Sequence, residues 1–248
     1  YAELVFFLFV MSLFSKGIDN LKWSEIISIV LSFSWIMVFF QTLGLYMILV
    51  LGTIRNRFFR LNEQMKIYFE TRFTERDMMA DSRKRIRRFA LMHALLSDSV
   101  KLFNYCYGKQ AMFVLGCSFG YTVFAIFGII HSNAVSVDAE TIRLARINIL
   151  FNGFYLSFLF QMVICCHRLH YECHRSSTIV HYAASCAVYE KNAFKELLMF
   201  SQQLKHHSPK VSCGLFDLDW ALCSTMVGSL CTYLIILLQF DLVNVKWN

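Results

Sequence analysis

Apolar residues run along this chain in long unbroken blocks rather than in short alternations. Between Lys22 and Arg55 only Glu25 carries a charge, and Gln110 to Val137 contains no Asp, Glu, Lys or Arg. Both blocks exceed the ~20 apolar residues that cross a bilayer as a helix. Ile147 to Cys166, again uncharged, and Trp220 to Phe240, bounded by Asp219 and Asp241, satisfy the same length. Four spans are therefore predicted. Leu4 to Phe14 is too short at about 11 residues and reads as the outer end of a longer helix, so the chain is expected to be a fragment with spans preceding it. It lacks the basic start and small-residue cleavage site of a signal peptide.

The more polar segments between the blocks carry an apolar periodicity of their own. Ile86, Phe89, Leu91, Leu95, Leu96, Val100, Leu102 and Phe103 recur near helical spacing, which predicts a helix from about Ser82 into the second full span. Phe194, Leu197, Leu198 and Leu204 mark an amphipathic helix stopped at Ser208-Pro209. Such helices either pack together as a platform below the membrane or lie on its surface. The single proline, Pro209, falls outside every span, so each span is expected to be a long continuous helix with its backbone bonds satisfied internally.

Charge adds orientation. Alternating spans put residues 52–108 and 167–218 on one side, and with Lys109 taken as part of the first loop roughly 19 of the Lys and Arg residues fall on that side against 5 on the other, which makes it cytoplasmic and the C-terminus extracellular. The net charge of +7 is thus a topology signal, and the Arg83 to Arg88 run reads as a solvated face near acidic headgroups rather than a nucleic-acid surface. With 57% hydrophobic and 17% charged residues the chain is far from the soluble average. None of the nine cysteines lies in a predicted exterior segment.

The last span differs from the others. At about 100° per residue, Thr225, Ser229, Thr232 and Gln239 share one stripe with Ile236 inside it, while leucines fill the remaining faces. Polar side chains in hydrocarbon need a partner. Either the hydroxyls bond their own helix and Gln239 bonds a neighbouring span, or several copies surround a water-filled axis. In the second case Ile236 forms an apolar constriction, Gln239 rings the outer mouth, and Asp219 and Asp241 add negative charge at the ends.

The run Thr232-Tyr233, five hydrophobic residues and Gln239-Phe240 resembles the last-helix signature of the insect gustatory receptor family. Cys213-Gly214-Leu215-Phe216 with Leu218-Asp219 is similar to the family's approach to that helix, and Phe200 to Leu204 to its short cytoplasmic helix. The resemblance is specific from about His93 onward. It implies a seven-span, all-α transmembrane bundle with cytoplasmic helical extensions, four subunits around a central pore, and a gate formed or bordered by Gln239 and Phe240. Leu234 stands where the sugar-sensing branch often has an acidic residue, which leans the chain toward a bitter or other ligand.

On this reading residues 1–166 hold the partial third to sixth spans with a platform at 52–108, residues 167–216 a cytoplasmic loop and helix, and residues 217–248 the pore-lining helix and exterior tail. A ligand pocket open to the outside would draw on Ser28, Ser32 and Trp35, on Tyr121 and Phe124, and on Asn148, Asn152 and Tyr155, the last three sharing a face at i, i+4 and i+7. Aromatic faces with a few amides suit a small organic molecule, and interhelical hydrogen bonding is the competing use of the same residues. Cys165, Cys166, His167, His170, Cys173 and His174 lack the paired spacing of a zinc site, and Cys165 or Cys166 suits palmitoylation as well. No phosphate loop or catalytic motif occurs. The expectation is a taste receptor of the plasma membrane of chemosensory neurons: a homo- or heterotetrameric channel for monovalent and divalent cations, opened by a small tastant, contacting membrane lipid but no nucleic acid, without cofactor, metal or enzymatic activity. The alternatives are a seven-span receptor working through a cytoplasmic partner, or a transporter.

Overall fold

A computed structural model describes residues 23–74, 79–134, 139–187, 191–206 and 209–245. They form five helices: α1 (Trp23–Thr74), α2 (Met79–Ala134), α3 (Ala139–Cys186), α4 (Lys191–His206) and α5 (Trp220–Val245). No strand occurs among the described residues; an isolated bridge joins Ser212 and Asp217. All but α4 are long and apolar enough to cross a membrane. Among the described residues the regular structure is thus all helical, with the four long apolar helices of a multi-pass membrane protein; Leu4 to Phe14 lies outside the described residues.

The described part of each predicted span belongs to a longer helix. α1, α2 and α3 run for 52, 56 and 48 residues without interruption. The charges beyond Arg55 end the hydrophobic block but not the helix, because Arg, Glu, Gln, Lys and Met are strong helix formers. A second stripe takes over there: Leu51, Ile54, Phe58, Leu61, Met65 and Phe69, three or four residues apart, are all buried.

The helices sort into two compact units. One takes the described residues up to Tyr46, Phe113–Gln161 and those from Cys223 onward; the other takes Met47–Met112 and Met162–Leu222. In the second unit Leu61, Met65 and Phe69 of the α1 stripe pack with Ile86 of α2, Val180 and Ala183 of α3, and Ala193, Leu197, Phe200 and Leu204 of α4 in one core. Each fully buried Leu or Phe there contributes roughly 1.5–3 kcal/mol. The helical extensions therefore pack on one another. Their inward faces differ from the sequence reading. On α4, Leu197 and Leu204 are buried but Phe194 and Leu198 are exposed, because the inward face centres on Leu197, Phe200 and Leu204. On α2, the buried line runs through Ile86, His93, Ser97, Val100 and Phe103, and leaves Leu91, Leu95 and Leu102 exposed.

Two polar knots tie this core across distant parts of the sequence. Asn62 of α1 donates through Nδ2 to the Glu172 carbonyl at 2.8 Å and to Glu172 Oε2 at 3.1 Å, and its Oδ1 accepts from Ser176 Oγ at 2.6 Å. Asn62, Glu172 and Ser176 are all buried, so the bonds replace the water each lost. The Glu196 carboxylate of α4 accepts from Arg83 Nε at 2.7 Å and from Arg87 Nε and Nη2 at 3.0 and 2.9 Å. The hydrogen bond from Arg87, followed by that from Arg83 and the charges of both, holds Glu196 below the usual carboxylate range against the opposing effect of burial.

Candidate functional site

In the first unit, α1, α2 and α3 bring an aromatic and amide cluster together. Tyr121 of α2 and Tyr155 of α3 meet edge to face with centroids 5.7 Å apart, and Phe40 of α1 meets Tyr155 the same way at 6.0 Å. Tyr121 donates toward Asn148 Oδ1 at 3.3 Å and the Asn148 carbonyl at 3.4 Å. These contacts are longer than a good O–H···O bond, so an incoming polar group can displace them at little cost. Below them in contact length are those of Thr122, whose Oγ1 lies 2.8 Å from Asn152 Oδ1 and 2.7 Å from the Ser118 carbonyl. Ser118, Thr122 and Asn152 are buried, and this tighter set joins α2 to α3.

The sequence-predicted residues therefore divide. Tyr121, Asn148 and Tyr155 come together with loosely committed polar atoms and open ring surface. Asn152 is engaged between helices, the competing use foreseen for it. Phe124 is 71% exposed and lies outside the ring contacts just described. The side chains of Ser28, Ser32 and Trp35 on α1 lie outside the described residues. Phe40 and Thr122 escaped the sequence reading. Phe40 sits in an apolar run with nothing to single it out, whereas Ser118 and Thr122, four residues apart on one helix, were a legible polar pair, and Thr122 meets Asn152.

α5 is started by a built turn in the second unit. Asp219 Oδ1 accepts from the Leu222 N–H at 2.9 Å, an N-cap whose charge also suits the helix N-terminus. Before it, Leu218 N–H donates to the Val211 carbonyl at 2.9 Å, and Gly214 takes φ +97°, a conformation that side chains resist. Asn104 of α2 clamps this turn from both sides: Nδ2 donates to the Lys210 carbonyl at 2.8 Å and Oδ1 accepts from Ser212 N–H at 3.2 Å.

Along α5 itself, no residue from Trp220 to Phe240 is buried, whereas 22%, 33% and 28% of the most apolar windows of α1, α2 and α3 are. Tyr233 packs against Phe119 of α2 at 5.8 Å between centroids. Thr225, Thr232, Ile236, Gln239 and Phe240 are exposed and Ser229 is half-buried; the Asp241 side chain lies outside the described residues. Thr232 donates to the Gly228 carbonyl at 3.1 Å. That spends its only proton and leaves the oxygen lone pairs as acceptors on the stripe. Among the described residues no three His, Cys, Asp or Glu side chains converge as a metal site.

Against known families, the description 7tm Chemosensory receptor matches the chain over residues 2–244. No curated protein matches it.

Proposed function

This chain belongs to the 7tm Chemosensory receptor family, and from that premise we propose that it is a subunit of a taste receptor in which a small organic molecule opens a cation channel. The observation that carries the proposal is the state of α5: a polar stripe on a helix long and apolar enough to cross a membrane, in which no residue from Trp220 to Phe240 is buried. Hydroxyl and amide groups in that position need water or protein around them. Four copies arranged about one axis supply both, with Thr225, Ser229 and Thr232 offering oxygen acceptors to cations, Ile236 as a dewetting constriction, and Gln239 and Phe240 at the gate. Asp241 at the outer end adds cation-attracting charge.

The ligand is placed in the first unit, at Tyr121, Asn148 and Tyr155, with Phe40 as an added wall and Phe124, Ser28, Ser32 and Trp35 as further candidates. Ring surface supplies contact and the weakly held phenol and amide supply orientation. A ligand that binds the open arrangement more tightly shifts the population toward it by its differential affinity. The excess of Lys and Arg in 52–108 and 167–218 supports an extracellular C-terminus and a plasma-membrane receptor with its platform in the cytoplasm. The Thr232 to Phe240 motif supports a gustatory rather than another chemosensory role. Related subunits and mono- and divalent cations are its proposed partners.

Purified protein in liposomes tests this directly. A ligand that produces current, with conductance or gating altered by Gln239→Ala, supports the channel. Ligand binding with electrically silent liposomes overturns it in favour of a receptor acting through a cytoplasmic partner.

A further inference from the structure

The second unit contains a cavity of about 260 Å³ that neither ion conduction nor the outer ligand site uses. α3 contributes His174, Ser177 and His181 to its wall, and α4 contributes Ser201, Gln202 and Lys205. The buried ring of His93 from α2 also lines it, held edge-on to Phe58 at 5.4 Å and Phe200 at 6.1 Å. That volume is about eight water molecules' worth, at the lower edge of small-molecule pockets.

The chemistry of the wall is one-sided. Among the described residues lining the cavity there is no Asp or Glu, while every His, Ser, Gln and Lys can donate a hydrogen bond. The neighbouring Glu172 is turned away, engaged by Asn62 at 3.1 Å and Arg175 at 3.6 Å. Ser201 Oγ lies 3.4 and 3.5 Å from the two ring nitrogens of His181, too far to commit either strongly. The last turn of α4 brings carbonyls of unfavourable sign for an anion, and Lys205 and His206 in that turn offset them.

We propose that this cavity is a binding site for a small phosphate-bearing anion, a phosphomonoester, recognised by His174, His181 and Lys205 with Ser177, Ser201 and Gln202 completing the oxygen contacts. Imidazole and ammonium donors on two helices meet a phosphoryl group's acceptors, and the remaining space takes a few carbons beyond it. A free metabolite and a lipid headgroup offer the same chemistry. The proposal is independent of whether the chain conducts ions.

Calorimetry on the full chain in phosphatidylcholine nanodiscs tests it, with inorganic phosphate and glycerol phosphate as soluble probes and, separately, nanodiscs doped with a phosphatidylinositol monophosphate. The variants are Lys205→Gln and the pair His174→Asn with His181→Asn. These side chains are exposed, and unchanged melting of each variant is the folding control. Saturable binding of glycerol phosphate, weakened about tenfold in each variant by loss of a charge-assisted bond, supports the site and a free ligand. Binding seen only with the doped bilayer, and lost in the same variants, supports the site and a headgroup. Absence of saturable binding in every format, or binding that both variants leave unchanged, overturns it.

Discussion

Asn62→Ala is expected to destabilise the second unit severely. The substitution removes three bonds at once: 2.8 Å to the Glu172 carbonyl, 3.1 Å to its carboxylate and 2.6 Å from Ser176. Neutral bonds contribute about 0.5–1.5 kcal/mol each and one to a charged acceptor about 1.5–3, and shared partners make the sum less than additive, so the net loss is about 3 kcal/mol. At about 2–4 °C per kcal/mol for a chain of this size, the melting temperature falls by about 6–12 °C. Ser176→Ala removes only the single donor and is expected to cost about 1 kcal/mol. Asn62→Asp is the sharper test, because it places a carboxylate oxygen where Nδ2 now meets Glu172 Oε2 and sets two like charges side by side. Thermal melting of the purified chain, followed by size-exclusion fluorescence, ranks the three. Melting within 2 °C of the wild type for Asn62→Ala, or Asn62→Asp no worse than Asn62→Ala, would refute the reasoning.

Three other outcomes are expected. Because Arg87 and Arg83 lower the Glu196 pKa, the stability from that knot is fully present above the ordinary carboxylate value of 4.5 and is lost as pH falls through the lowered folded value; melting curves across that range should lose this slope in Glu196→Gln. A Cβ at Gly44 would overlap the Phe158 ring, so Gly44→Ala should cost about 1–3 kcal/mol of stability and Phe158→Leu in the same chain should recover part of it. If Tyr155 contacts ligand, Tyr155→Ala should raise the half-maximal ligand concentration about tenfold or more with surface expression retained, while the exposed Met92→Ala on α2 should leave the response unchanged.

The spans were legible because hydrocarbon imposes a length and a charge exclusion that few other environments share. The helices' continuation was also written in the chain, in the spacing of Leu51, Ile54, Phe58, Leu61, Met65 and Phe69, but the arginines among them masked it. Inward faces were harder. His93 and Ser97 take the buried line of α2 while Leu91, Leu95 and Leu102 stay exposed, an inversion of hydrophobic ranking that follows from neighbours on α1, α3 and α4. The Asn62 and Glu196 knots join residues more than 100 positions apart, and one sequence contains no sign of such pairing. At the proposed ligand site, residue type singled out Tyr121, Asn148 and Tyr155 as candidates, but only packing separates their loose contacts from the committed bond of Asn152.

The uncovered surface of α5 bears on biogenesis. Among the described helices it is synthesised last, and if the proposed assembly holds, a newly inserted subunit leaves Thr232 and Gln239 exposed until another chain arrives. On that proposal solitary copies would be the least comfortable species in the endoplasmic reticulum, and export would be tied to association. For a receptor built from related subunits, the same unmet surface would let partner supply govern how many complexes reach the cell surface.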